Sequence, residues 1–597
     1  MNECNRRPGR ASVRSERRPG SVGRFRSVVA RHRLASSLIT HHSSLIHHPL
    51  IHHSFIMQCD VESRPSRRIA SHRTFIAFVY DRPTHRASET SRTMSEPSTV
   101  DVVVLGAGVA GLHAARCATM EAPESPVGRG GGDDGRRRRH RSGATREGGE
   151  GDDEDEEEIP RGAFRRMRAV VLEARDEVGG RVRAARDAAP WDVNLGPEFA
   201  HGDERSVLKR FIDNHGFGTT EREWPDRYYL GGSEGGLMRA DEAEARSSDV
   251  RRVHRLFDEL PGAPGEEDAD ETALGWLTNT VRASDSVIKL AENIYANDFG
   301  SSLRHLGMRE LIEEKKNWIY GEKYLVLDRP LREVALALAD GLDVRTNWEI
   351  ESVDYSTPGV VRVTRRGGKE VITAKKCIVA LPITALRPNN TENRVRFIPR
   401  LPAAKTRAAE TIQIGNAAKL FVGFRKVVWP EDVFDVVCTN CFLPEFWITK
   451  YPKSPLAREV ATSREAKLVA ETVGLVTFFI AGDLADELDK MNRDVMFRRA
   501  IDQLDTIFNV SCKEHITTMK YVGWSQERLV QGAYTHPTVN AGDSRALLAA
   551  PVSNTLFFAG EATHTGVNPC LQGAMETGAR AAAQVRAAVF GIGQSKL

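Results

Sequence analysis

Nowhere in the 597 residues is there a run of the roughly 18 consecutive apolar residues that a membrane-crossing helix needs. The longest apolar run, Val473–Ala481, is strand-sized, so no membrane span is expected. An excess of charge is also missing. Lys and Arg number 84 against 81 Asp and Glu, and a net +3 gives no general field for nucleic acid. Cysteine is sparse, with eight scattered over the chain, which excludes a disulfide framework and suits a reducing compartment. Cys438 and Cys441 form one C-x-x-C, but with no second pair or neighbouring histidines they make no zinc site, and no metal is expected.

Two regions are defined by what they lack. Residues 1–93 contain no lysine and few acids, yet carry half of the 18 histidines, with the low-complexity repeat LIHHPLIHHS. Their Arg- and Ser-rich composition resembles a transit peptide. A functional start near Met94 is the simpler expectation, with residues 1–93 disordered or non-native. Residues 122–166 hold almost no large apolar side chain, and a basic run, Arg136–Arg141, is followed by the acidic run EGGEGDDEDEEE. Such a composition does not bury enough surface to offset its ordering entropy, so a self-neutralising disordered insertion is expected.

What the chain does contain is organised around Asp101–Thr119, DVVVLGAGVAGLHAARCAT. Val102 to Leu105 read as a buried parallel strand. Gly106, Gly108 and Gly111 follow at G-x-G-x-x-G spacing, ahead of an alanine-rich helix. The first glycine permits the tight turn, the second lets backbone approach a pyrophosphate, and the third lets helix pack close to strand. The helix N-terminus supplies free N–H groups and partial positive charge. A second apolar strand, Ala169–Leu172, ends at Glu173, whose carboxylate suits the two ribose hydroxyls of an adenosine. The gap of 62 residues from Gly111 exceeds the usual 20 or so, and the 122–166 insertion accounts for the excess.

Beyond Glu173 comes RDEVGGRV, where Arg175, Gly180 and Arg181 combine loop freedom with phosphate-pairing guanidinium groups. Then Asp192–Gly202, DVNLGPEFAHG, forms a Gly- and Pro-punctuated turn. GAGVAG, LEARDEVGGRV and LGPEFAHG together resemble the flavin-containing amine oxidase family, its polyamine oxidases most of all. WSQERLVQGAY (Trp524–Tyr534), LFFAGEATH (Leu556–His564) and NPCLQGAMETGARAA (Asn568–Ala582) extend the resemblance, which runs from about Val100 to about Ala588.

The resemblance implies an α/β fold with a discontinuous Rossmann-like FAD-binding domain and a second, mixed α+β substrate domain. FAD-binding segments are expected at 98–204, 336–394 and 516–590, substrate segments at 205–335 and 395–515, and a flexible tail at 591–597. Strand patterns at Leu342–Asp354, Val360–Thr364 and Val371–Leu381 fit this layout. Carried over residue by residue, the cofactor would also meet Gly196, Pro197 and Glu198, the backbone of Val353, and the ring of Trp524. Gly560 and Glu561 would reach the ribityl chain. Cys570, Leu571 and Ala574 would open a helix aimed at the flavin's pyrimidine edge. Ala533 stands where monoamine oxidases carry the cysteine that tethers flavin, so FAD is expected to be non-covalent.

For catalysis, NAAKLFVGF (Asn416–Phe424) places one cation in a strand pattern, and lysine is rarely buried unless paired or employed. Lys419 matches the family lysine that holds a water at flavin N5. Tyr534 would form one wall of an amine pocket, with Cys570 in place of the facing aromatic, as in relatives acting on polyamines or peptidyl lysine. His201 would hydrogen-bond a substrate nitrogen. Asp298 and Glu313–Glu314 are candidate entrance acids by charge. Region Glu322–Pro330 departs from the family's usual glycine-aromatic turn.

The expectation is thus an FAD-dependent oxidase of polyamines or acetylated polyamines that produces hydrogen peroxide. Protein-lysine demethylation, L-amino-acid oxidation and a silent flavoprotein scaffold are the alternatives. The final Ser595-Lys596-Leu597 matches the tripeptide read by the peroxisomal import receptor, with the cytoplasm as fallback.

Overall fold

The computed structural model describes residues 99–120, 166–231, 236–261, 269–450, 463–567 and 570–591. All belong to the second of the chain's two units, Ser91–Leu597. The 1–93 extension, residues 122–165 of the insertion and the Ser595–Leu597 tripeptide lie outside the described residues.

The four apolar residues before the glycine loop do form a strand buried on both faces. Val100–Leu105 pairs in parallel with Ala169–Leu172 on one side and Val371–Val379 on the other. Asp343–Arg345 and Leu556–Phe558 extend the parallel set at either side. Val361–Arg365 and Ile350–Asp354 add antiparallel strands, and Arg396–Ile398 completes an eight-stranded sheet. Helices cover one face, where Leu112, Ala114 and Ala115 of Val109–Thr119 meet Met575 and Ala581 of Leu571–Phe590. Small residues let these helices cross closely; a Cβ at Gly578 would lie 2.4 Å from the Ala110 carbonyl oxygen. Val103, Leu105, Val353 and Phe558 fill the opposite face. The α/β, Rossmann-like expectation therefore holds.

The continuous strand expected over Leu342–Asp354 is instead two, broken at Thr346–Glu349. Asn347 takes a left-handed conformation there, and its N–H and that of Trp348 bond the carbonyls of Arg175 and Glu173. Local β propensity does not register such a tertiary docking turn.

A seven-stranded sheet forms the other layer, in the order 516–523, 417–424, 474–481, 445–450, 435–438, 227–230 and 236–239. Every residue of Ala417–Phe424 is buried. Two strands pair across the segment limits drawn from sequence: Ile516–Gly523 joins this second sheet, and Arg396–Ile398 joins the first. A strand's pattern carries its burial but not the identity of its partner. Among the described residues no helix is long and apolar enough to cross a membrane.

Candidate active site

A cavity of about 540 Å³ is lined by residues of both sheets. This lies within the range of small-molecule and cofactor sites. The end at the glycine loop is made largely of backbone. Gly106 sits at φ +96°, where a Cβ would collide with the Ala380 carbonyl oxygen at 2.7 Å. Gly108 lines the cavity with open space where a side chain would be. Gly111 does not line it; a Cβ there would lie 2.0 Å from the Gly106 carbonyl oxygen, which is the helix-to-strand packing expected of the third glycine. Glu173, 7 % exposed, accepts N–H bonds from Ala107 at 2.8 Å and Arg175 at 3.0 Å. Burial raises its pKa, and those backbone bonds work against the rise.

Arg175 and Arg181 reach the cavity wall as paired cations. Arg175 Nη1 meets Glu527 at 2.6 Å, and Arg181 Nη1 bonds both Glu561 at 2.8 Å and the Ala533 carbonyl at 2.7 Å. Glu561 also accepts from Thr535 Oγ1 at 2.6 Å. Gly180, Gly560, Cys570, Leu571 and Ala574 line the same cavity. Val353 does not: it is fully buried in the first sheet's core, and the cavity is reached instead by Glu349 and Ile350.

At the other end side chains dominate. Lys419, 3 % exposed, donates to Glu198 Oε2 at 2.8 Å and the Asn194 carbonyl at 3.1 Å. Its Nζ lies 4.9 Å from the Trp447 ring centre. Burial pulls the lysine's pKa down while the Glu198 carboxylate raises it again, and the net shift is downward. Gly196 and Pro197 form the turn that presents Glu198, and Trp524 anchors it by donating to the Leu195 carbonyl at 3.0 Å.

His201 is held on the short strand Ala200–His201 against Tyr324, ring centres 4.7 Å apart and nearly perpendicular. Burial lowers its pKa to about 4, so the imidazole is neutral at pH 7. Tyr534 donates to the Asp298 carbonyl at 3.1 Å, and Gly300 leaves room for its ring. Burial pushes the Cys570 thiol up.

Of the candidate acids, Asp298 and Glu314 line the cavity and Glu313 does not. Asp298 is exposed within the cavity it lines, and the protein packed around it raises its pKa to about 6. Sequence reasoning missed Glu445. It is 4 % exposed, accepts from Trp224 Nε1 at 2.7 Å and Asn297 Nδ2 at 3.0 Å, and is raised to about 7 by burial. Fully buried Asp435 is raised too, by desolvation first and then by the charge of Glu445. The signal was present: one acid in the apolar strand EFWIT, the same anomaly that singled out Lys419. Trp224, Trp318, Tyr324 and Trp447 also line the cavity and were not foreseen. Tyr324 comes from the Glu322–Pro330 region.

The family model for flavin containing amine oxidoreductase matches residues 163–586. Polyamine oxidase 2 of Arabidopsis thaliana is 27 % identical over 44 % of this chain and 49 % of its own length. Polyamine oxidase 3 of Oryza sativa subsp. japonica is 25 % identical over 70 % of this chain and 84 % of its own. Lysine-specific histone demethylase 1B of Mus musculus is 23 % identical over 70 % and 50 %. Thus the chain spans only about half the length of some curated relatives. Among solved structures, a putrescine oxidase redesigned in cofactor binding superposes with TM-score 0.61 at 16 % identity, over 82 % of this chain and 99 % of that one. Cyclohexylamine oxidase from Brevibacterium oxydans IH-35A gives 0.59 at 18 % identity, over the same shares.

Proposed function

Because the chain belongs to the flavin-containing amine oxidoreductase family, we propose that it oxidises polyamines or acetylated polyamines with non-covalent FAD, releasing hydrogen peroxide. The cavity fits FAD: Gly108 leaves a bare cradle beside a helix N-terminus with no capping side chain, and Glu173 stands at the end of the adjacent parallel strand. Bound FAD supplies a two-electron acceptor for hydride from the carbon beside the amine nitrogen, with oxygen as final acceptor. The chain's own groups do the rest. Glu173 would hold ribose hydroxyls, and Glu561 would hold the ribityl chain. Ala533, where a tether would need a thiol, supports release of intact FAD on denaturation; flavin left on the denatured chain would refute it.

Lys419, held by Glu198 and with a lowered pKa, is suited to orient a water and move its proton during imine hydrolysis. Tyr534 and neutral His201 would orient the amine. The substrate class rests on one observation above all: carboxyls Asp298 and Glu445, at about pKa 6 and about 7, face the cavity that holds the lysine. An ammonium docked there recovers their charged forms and offsets their desolvation. A peroxide-release screen over spermine, spermidine, their acetylated forms, monoamines, amino acids and a methyl-lysine peptide tests this. Peroxide from polyamines first is expected. A strict preference for the peptide would favour demethylation, to which the mouse relative lends weight, and a preference for amino acids would sink both readings.

The Ser595-Lys596-Leu597 tripeptide supports a peroxisomal address, wherever it forms the free carboxy end. Its deletion should abolish import; import that persists without it would overturn the assignment.

A further inference from the structure

Cys438 and Cys441, set aside as a metal site, occupy the turn that joins strands Asp435–Cys438 and Glu445–Lys450. Both are free thiols: Cys438 is fully buried and Cys441 is partly exposed. Asn440, between them, adopts φ +55°, and this left-handed residue curls the turn that carries both cysteines, while the Cys438 thiol donates to the Val436 carbonyl at 3.8 Å. The turn is braced from three directions. Asn293 Nδ2 donates to the Cys438 carbonyl at 2.6 Å, the Thr439 N–H bonds the Tyr229 carbonyl at 2.9 Å, and the Cys438 N–H bonds the Pro444 carbonyl at 2.7 Å.

We propose that Cys438 and Cys441 form an oxidation site, a dithiol that hydrogen peroxide closes to a disulfide. The exposed Cys441 attacks and the buried Cys438 resolves. The neighbouring Cys438 thiol first, and the Lys289 ammonium after it, hold the Cys441 thiol below its ordinary range against its own burial, while burial pushes Cys438 up. The more acidic thiol at the accessible position, with the less acidic one buried behind it, is the arrangement that dithiol chemistry uses. By contrast, Cys117 and Cys570, the other partly exposed thiols among the described residues, are both raised by burial.

The chemistry balances. The Cys441 thiolate attacks one oxygen of peroxide, the O–O bond breaks, and the leaving hydroxide takes up a proton to give water and a Cys441 sulfenic acid. Cys438 then loses its proton, attacks the Cys441 sulfur and expels the second water. Two thiols and one peroxide become a disulfide and two waters; the dithiol gives up two electrons and the peroxide gains them. The oxidant is the product of the reaction proposed above. The closed disulfide would pin the turn four residues before Glu445, so product would act on the acid wall of the same cavity.

The test uses added hydrogen peroxide on the native protein, so it stands or falls apart from amine oxidation. After a peroxide pulse and catalase, remaining thiols are alkylated and mapped by peptide mass. The expected result is a peptide containing Cys438 and Cys441 that is 2 Da light, unalkylated, restored by dithiothreitol, and formed at least roughly tenfold faster than oxidation at Cys117 or Cys570. In Cys438→Ser, dimedone should trap a sulfenic acid at Cys441; in Cys441→Ser, Cys438 should stay reduced. Full alkylation of both cysteines after peroxide, or equal oxidation of Cys570, overturns the proposal. The wild-type map decides this even where a variant fails to fold.

Discussion

The two ends of the cavity are built from different materials. The end at Gly106–Gly111 is shaped by backbone, with glycines that leave space or permit contact and an Ala107 N–H that donates to Glu173. The end at Lys419 is shaped by side chains drawn from distant segments, such as the Lys419–Glu198 and Trp224–Glu445 pairs, each 221 residues apart in sequence. Backbone recognition is local and needs only a short motif. Side-chain recognition is assembled by folding and leaves, in sequence, only isolated charges out of place.

This contrast is sharpest within the glycine loop. Gly111→Ala forces a methyl group against the Gly106 carbonyl and should cost at least ~4 kcal/mol, read as a collapse of the melting temperature. Gly108→Ala meets open space, so the apoprotein should melt as wild type does while retaining far less flavin. Equal effects of the two substitutions on melting would break the division between packing and cradle.

At the other end, Lys419→Met should retain flavin but lose roughly 10²–10⁴-fold in turnover with polyamine. Stripping Glu198 of its buried partner should also cost roughly 3–5 kcal/mol. The double substitution with Glu198→Gln should recover much of that stability and none of the turnover. Recovery of turnover would leave Lys419 with a structural role only.

Glu445→Gln is a smaller change. The KM for a polyamine should rise roughly tenfold to a hundredfold, with kcat little altered, because a charge-assisted contact to the distant ammonium is lost. In wild type, KM should fall as pH rises through about 6 to about 7, where Asp298 and Glu445 ionise. The variant should lose the upper part of that dependence. A pH profile unmoved by the substitution would remove Glu445 from substrate binding.

The smallest effect concerns stability. Folding raises the Glu445 pKa from 4.5 to about 7, so between those values the folded chain binds more protons than the unfolded one. Stability of the ligand-free protein should therefore fall as pH rises through that window, and Glu445→Gln should flatten the slope. Melting temperatures at pH 5 and pH 7.5 measure it; an unchanged slope in the variant would remove Glu445 as its source.

How far the sequence reached follows the same contrast. The glycine loop, Glu173 and the buried strand of Val102–Leu105 were legible because spacing and period are local properties. Lys419 was legible as an anomaly, a charge in an apolar strand, but its partner Glu198 was read only as a cofactor contact. Glu445 carries the same anomaly in EFWIT, but a single acid at a strand end also has an ordinary surface explanation. Trp318 and Tyr324 gave no signal, because an aromatic in a core and an aromatic on a cavity wall look alike in one dimension.

By itself, the sequence determined the Rossmann-like layer and its glycine cradle, since backbone turns and strand burial are set by residues a few positions apart. Only the tertiary structure decided that Ile516–Gly523 belongs to the second sheet, that Arg175 and Arg181 are already paired, and that Asp298 and Glu445 face one cavity. Those outcomes depend on strand register and on burial. Both are properties of the folded chain, and desolvation by that fold is what turns ordinary carboxyls into groups that titrate near neutral pH.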